Sequence, residues 1–241
     1  MSKHFERISG IDPSAGMVQQ ARQDTPKDAY PTVEFREGRA EDQKSAVDDG
    51  EVDCVVAGTA AHWFDYDTIW PALDRLVRKD GTLAFWCYIA EIFVDFPRAS
   101  AAWYSLVYEM DPDKLGPYWH QPGEIRLQES LRIVQPPLDQ WEEVQRIGYY
   151  PGVSGRRTGE GTMFVERTTT VGEFKEYART WSAYHRWREA HPSREARLRG
   201  GDGDVLDEMI DELAKIDGYL GNDDHVIHIE WSSILILARK R

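Results

Sequence analysis

The sequence predicts an α/β fold: a doubly wound, mostly parallel sheet carrying an inserted, mainly helical lobe. Three observations carry that expectation. Strand-like and helix-like segments alternate through residues 1–90, the pattern of βα units on a parallel sheet. Two apolar runs, Val52–Ala57 and Thr82–Tyr88, are uninterrupted in the manner of strands covered on both faces. After Ala90 the alternation gives way to helical patterns rich in Trp and Tyr.

Taken in order, Glu6–Ile11 reads as a strand, and Ser14 as the cap of a helix through Gln23 with Met17 and Ala21 at i, i+4. Thr32–Glu37 is a short strand closed by Gly38. Val52–Ala57 is the third strand. Asp67–Arg78 is amphipathic, with Ile69, Leu73, Leu76 and Val77 on one face, and Lys79-Asp80-Gly81 ends it. Thr82–Tyr88 completes the first core section, residues 1–90. The inserted lobe spans 91–200: helices over Phe96–Met110 and Glu124–Val134, a return strand near 142–149, a Gly- and Arg-containing turn over Gly152–Gly161, and a helix over Val171–Arg188. Residues 201–241 are expected to return to the core through an acidic helix, Val205–Tyr219, and a closing strand, Val226–Leu237, bent at Ser232-Ser233.

A chain of 241 residues with 41% apolar and 29% charged residues supports one sizeable core. The net charge of -13 disfavours nucleic acid, which needs clustered Lys and Arg, and points to a small-molecule partner. Nine Trp, eleven Tyr and eight Phe are enough to line an apolar pocket as well as a core. Cys54 and Cys87 lie singly in apolar strands, so neither a disulfide framework nor a metal site is expected. No stretch approaches the roughly 20 apolar residues of a membrane span, and no signal peptide is evident; the expected location is cytoplasmic.

Three segments carry chemistry. Asp12 stands at the carboxyl end of the first strand, where ligands bind in such sheets, and its carboxylate suits a ribose diol; an acid at a helix N-terminus is the plainer alternative. Gly38-Arg39-Ala40-Glu41-Asp42 follows the next strand, where an acid can meet an adenine amine or simply face solvent. Gly58-Thr59-Ala60-Ala61-His62-Trp63-Phe64 follows the third, with small residues that let a ligand approach the backbone and a histidine available for proton transfer or for packing.

In series, these segments resemble class I S-adenosylmethionine-dependent methyltransferases, and within them the branch of trans-aconitate methyltransferase. Gly10, Asp12, Ser14 and Met17 match a Gly-x-Asp-x-Ser-x-x-Met pattern; Ala40 and Glu41 match an Ala-Glu pair; Ala60, His62, Trp63 and Phe64 match Ala-x-His-Trp-Phe. Thr180, Trp181, Ser182 and Tyr184, then Ala238, Arg239 and Lys240, continue the likeness to the end of the chain. The resemblance implies a Rossmann-like core with S-adenosylmethionine as cofactor, held by Asp12, Ser14, Met17, Ala40, Glu41 and Thr59. His62 would lie near the transferred methyl. Trp63, Trp103, Tyr104, Tyr118, Trp119, His120 and Tyr184 would line the pocket of a carboxylate or hydroxyl acceptor, with Arg156 and Arg157 available to a carboxylate.

Such proteins carry a first strand and a Gly-rich loop ahead of the strand matched by Ile8–Asp12, and no glycine precedes Ile8 here. The strands at Ile8–Asp12 and Val52–Ala57 are therefore expected either to leave an unpaired gap in the sheet or to close directly on each other and reshape the cofactor cleft. Two alternatives go with it. One is a methyltransferase-like protein that has lost the cofactor and serves another step, such as a cyclisation. The other is a non-catalytic binding partner. Self-association across the exposed edge is a further expectation.

Overall fold

The computed structural model describes residues 3–42, 48–151 and 165–241. Its elements are β1 (Ile8–Asp12), α1 (Ala15–Asp24), β2 (Val33–Glu37), β3 (Val52–Gly58), α2 (Tyr66–Leu76), β4 (Val77–Phe93), α3 (Pro97–Tyr108), α4 (Gly123–Gln128), β5 (Trp141–Tyr149), β6 (Glu166–Thr170), α5 (Val171–Ala178), α6 (Ser182–Ala190), α7 (Val205–Ile216) and β7 (Val226–Lys240). The α/β class expected from the alternation holds. β1 pairs with β2 and β3 with β4, both in parallel. Antiparallel pairing enters with β7, which takes β4, β5 and β6 as neighbours.

The sheet is in two pieces: β1–β2, and a five-stranded sheet built on the path β3-β4-β7-β5 with β6 also on β7. Among the described residues β1 and β3 do not pair. What ties the pieces together near the strand starts is an exposed Arg7–Glu51 ion pair at 3.3 Å.

β4 and β7 are long because each serves two cores. Leu83, Phe85 and Cys87 of β4, with Ile234, Ile236 and Ala238 of β7, pack with Ile69, Trp70 and Leu73 of α2 and with Leu131, Val134 and Trp141. Beyond a register shift between Tyr88 and Glu91, the same strands enter the lobe. There Phe93, Ile227, Ile229 and Trp231 join Trp103 and Val107 of α3, Phe174 of α5, Trp187 of α6 and Leu206, Met209 and Leu213 of α7. The bend expected at Ser232-Ser233 lies at this shift: Ser232 Oγ accepts from Ala90 N at 3.1 Å, filling the gap left in the ladder. Although α7 was expected with the closing strand, its buried face belongs to the lobe core.

Several boundaries differ from the expectations, each for a local reason. α2 ends at Leu76 and β4 already begins at Val77. Lys79-Asp80-Gly81 is an irregularity inside that strand, with Asp80 at φ 62°. The helix expected over Glu124–Val134 stops at Gln128, because Ser130 and Leu131 turn left-handed (φ 54° and 53°) and bury Leu131 completely. The helix expected over Val171–Arg188 is two helices. The chain breaks where Arg179 turns to Asp204 (Nε to Oδ2, 2.7 Å) and Thr180 Oγ1 donates back to Tyr177 O at 2.7 Å. β6 was not expected at all. Its Arg167-Thr168-Thr169-Thr170 sequence is that of a polar edge strand, not an apolar core strand. The Gly152–Gly161 turn, with Arg156 and Arg157, lies outside the described residues.

Candidate functional site

The residues singled out in the sequence fall into three groups in space. The first surrounds Asp12. Ser14 caps α1, its Oγ accepting from Met17 N at 3.3 Å. Asp12 Oδ1 accepts from Ser14 N at 2.8 Å, which holds the carboxylate at the turn, while Oδ2 has no partner among the described residues. Beside it lies a cleft of about 220 Å³ lined by Gly10, Ile11, Asp12, Met17, Val18, Ala21 and Phe35. The lining is apolar apart from Asp12, so the cleft matches a flat ring with a diol at its edge. Its size is below the roughly 300 Å³ at which small-molecule pockets usually begin, so it suits the adenosine end of S-adenosylmethionine, not the whole molecule.

Glu41 has a different post from the one expected. Its side chain is 7% exposed, and its Oε1 accepts from Asp65 N at 2.9 Å at the cap of α2, while Arg39 Nε lies 3.4 Å from Oε2. The carboxylate thus fastens the segment after β2 to the helix after β3. Ala40 packs against the α2 core.

The second group is at the carboxyl end of β3. Thr59 adopts φ 49°, and its N–H reaches Trp86 O at 2.8 Å, a strained turn of the kind that accompanies binding sites. His62 is 4% exposed, and its Nδ1 has no partner among the described residues. Burial, and secondarily Arg126, pushes its pKa down to about 4, so the ring is neutral at pH 7. Trp63 is half-exposed, 4.6 Å from the His62 ring and edge-on to His120 at 5.1 Å. α4 holds this segment. Arg126 Nη1 donates to His62 O and Phe64 O (3.0 and 3.1 Å). Gly123 leaves room for Trp63: a Cβ there would stand 2.6 Å from its ring.

The third group is the aromatic wall of the lobe. Tyr104 packs tilted against Tyr108, and Tyr108 against Trp119, which donates through Nε1 to Val107 O at 3.1 Å and meets Trp181. Trp103 is fully buried against Phe93, Phe174 and Trp181. Two of the expected pocket residues stand elsewhere. Tyr118 donates to Pro112 O at 3.0 Å and packs on His191 at the far rim. Tyr184 is buried, with its OH donating to Asp204 Oδ2 at 2.7 Å in the network that joins α5 to α7. The structure therefore brings together Thr59, His62, Trp63 and His120, and separately Trp103, Tyr104 and Trp119. Among the described residues no hydrogen bond or ring contact links Asp12 or Met17 to either set.

Sequence reading missed the two acids of this wall. Glu124 accepts from Tyr108 OH at 2.8 Å, and burial raises its pKa. Glu91, on β4 just beyond the parallel pairing with β3, is 8% exposed. Its Oε1 accepts from Trp231 Nε1 at 3.1 Å and from Tyr177 OH at 3.5 Å. Burial pushes it up to about 7 against those hydrogen bonds. A signal was available: Glu91 is the one charged residue between Thr82 and Val94.

Comparisons with known proteins agree with this architecture. Residues 1–85 match the family model of a methyltransferase domain. A probable S-adenosylmethionine-dependent methyltransferase of Saccharomyces cerevisiae is 31% identical over 246 residues, covering 99% of this chain and 80% of that protein. A candidate methyltransferase of Dictyostelium discoideum is 23% identical, covering 100% of this chain and 76% of its own length. Among solved structures, a candidate type II methyltransferase of Anaeromyxobacter dehalogenans shares the fold with a TM-score of 0.65 at 22% identity, covering 99% of this chain and 82% of the other. No helix among the described residues is long and apolar enough to cross a membrane. The chain belongs to the class I S-adenosylmethionine-dependent methyltransferases, a family defined by that cofactor.

Proposed function

We propose that this chain transfers the methyl group of S-adenosylmethionine to an oxygen, carboxylate or hydroxyl, of a small-molecule acceptor, in the trans-aconitate methyltransferase-like branch of the family. The observation that carries the reading is Asp12. One carboxylate oxygen is fixed by Ser14 N while the other is open beside an apolar cleft, at the carboxyl end of a parallel strand. The open oxygen suits the ribose hydroxyls, and Ile11, Met17, Val18 and Phe35 suit the adenine. When bound, the cofactor supplies an electrophilic methyl on a sulfonium centre.

The chain's own task is to hold the acceptor in line and keep water away. Thr59 offers its strained turn at the strand end. Neutral His62 serves as a fixed wall and hydrogen-bonding group, not as a general acid or base, because its depressed pKa disfavours the protonated ring at pH 7. The net charge of -13 supports a small molecule over a nucleic acid as the acceptor.

Calorimetric titration of the whole chain with S-adenosylmethionine and S-adenosylhomocysteine tests this. Saturable binding is expected, weakened roughly tenfold or more in Asp12→Ala by loss of a charged hydrogen-bond acceptor. Absence of heat up to millimolar ligand overturns the reading and leaves the cofactor-independent alternative.

A further inference from the structure

A second cleft, of about 380 Å³, lies where the turn after α4 meets β5. Gln128, Glu129, Ser130 and Arg132 line it from the turn, Arg146 and Tyr150 from the strand and its end. Its size falls within the range of small-molecule sites, and it shares no lining residue with the cleft beside Asp12. Local structure gives it a definite shape. Ser130 and Leu131 turn left-handed, at φ 54° and 53°, a conformation that costs residues other than glycine free energy. Arg146 holds that turn: Nη2 donates to Ser130 O at 2.7 Å and Nη1 to Val134 O at 3.0 Å. Gly148 leaves room for Tyr150 to fold back over the strand, since a Cβ there would stand 2.5 Å from its ring. The two carbonyls orient Arg146 without neutralising it. They use two of its five N–H donors and leave three without a partner among the described residues. Elsewhere in this acidic chain Arg75, Arg78, Arg194 and Arg197 each face a carboxylate. Arg132 and Arg146 form no ion pair among the described residues.

We propose that this cleft binds the phosphoryl group of a small phosphate ester, with Arg132 and Arg146 on its terminal oxygens and the Ser130 and Tyr150 hydroxyls beside them. The donor set carries the assignment. Two guanidiniums and two hydroxyls offer more N–H and O–H groups than the roughly four acceptor positions of one carboxylate can take. A phosphate ester brings three terminal oxygens and close to two charges at pH 7, and suits the planar fork of arginine. A neutral ligand leaves both guanidinium charges uncompensated. Glu129 is the single acid of the lining, too little to neutralise both arginines, and is placed to accept from a hydroxyl elsewhere on the ligand. The volume exceeds that of a phosphoryl group, so a small organic remainder enters with it, and the half-exposed Tyr150 ring offers that remainder a flat face. A net charge of -13 repels anions from the molecule as a whole, so an anion bound here is bound by these local groups. The site does not rest on the methyltransferase reading.

The test is calorimetric titration of the whole protein with phenyl phosphate, inorganic phosphate, succinate and benzoate, in phosphate-free buffer at fixed ionic strength. The two phosphates are expected to bind saturably, and succinate and benzoate roughly tenfold or more weaker. Arg132→Gln and Arg146→Gln are each expected to weaken phenyl phosphate by roughly tenfold, the loss of a charged hydrogen bond. Arg98→Gln makes the same charge change at an exposed position of α3 and is expected to alter nothing. Thermal unfolding confirms that each variant folds. Arg132 is exposed and its side chain makes no hydrogen bond among the described residues, so its variant decides even where Arg146→Gln loosens the turn. Absence of saturable phosphate binding overturns the proposal, as does phenyl phosphate binding unchanged in folded Arg132→Gln. An equal loss in Arg98→Gln also overturns it, reducing the effect to overall charge. Succinate or benzoate binding as tightly as phenyl phosphate overturns the phosphoryl assignment and makes the cleft a carboxylate site.

Discussion

The β1–α1–β2 unit and the β4–β7 pair are built on opposite principles. Across residues 3–42 only Val18 is buried among the described residues, and β1 alternates between half-buried and exposed. In β4 and β7, Leu83, Phe85 and Ile236 are entirely shielded and the ladder runs from Thr82–Arg239 to Phe93–Ile229. Two strands with one covering helix are marginal by themselves. This unit is fastened by Glu41 to the α2 cap and by the exposed Arg7–Glu51 pair, the latter worth little in water. The candidate cofactor residues Asp12, Ser14 and Met17 therefore sit on the least secured part of the molecule, and the aromatic wall of the lobe borders the most secured. Binding segments are commonly drawn from the low-stability end of a fold, and the proposed cofactor segment is one of these.

The contrast can be broken by truncation in either region. Leu83→Ala is expected to destabilise the whole protein by about 4 kcal/mol, the cost of a cavity in a closed core, read as a drop in the denaturant midpoint. Phe35→Ala, which removes the ring that packs on Gly10, is expected to leave that midpoint nearly unchanged while amide exchange speeds up in Ile8–Glu37. Equal midpoint losses would show that the two regions unfold as one and that the contrast is wrong.

A smaller effect sharpens the other side. Glu91 has a native pKa raised above its unfolded value, so its contribution to stability is present below pH about 4.5 and is lost as pH rises through about 7. Above that, the native state carries an enclosed carboxylate facing Trp231, Trp103 and Tyr177, with Tyr88 and Tyr108 close by. Glu91→Gln is therefore expected to raise stability at pH 8 by about 2 to 3 kcal/mol and to change nothing at pH 4. Denaturant unfolding at the two pH values measures it, and a variant less stable at pH 8 would contradict the sign.

The same division explains what the sequence made legible. The strands at Ile8, Val33, Val52 and Trp141 are short apolar or alternating runs bounded by polar residues, so their positions could be read directly. β6 could not, since Arg167-Thr168-Thr169-Thr170 becomes a strand only because β7 lies beside it. Helix periodicity ran past Gln128 and Ala178 because Leu131 and Trp181 continue the apolar spacing even though the backbone turns there, burying Leu131 and part of Trp181. In the site, Asp12 was legible from its place at a strand end. Tyr184 was not, because an aromatic at helical spacing looks the same whether its hydroxyl serves Asp204 or a ligand. The bond from Glu41 to the cap of α2 was not legible either, because it depends on a residue 24 positions away.

Hydrogen exchange with and without saturating S-adenosylhomocysteine tests the central claim most directly, since the weakly buried β1–α1–β2 unit has the most to gain from a bound cofactor. The account predicts slowed exchange through Asp12–Met17 and the rest of Ile8–Glu37, with β4 and β7 little changed. Protection confined to the lobe, or none anywhere, would contradict it.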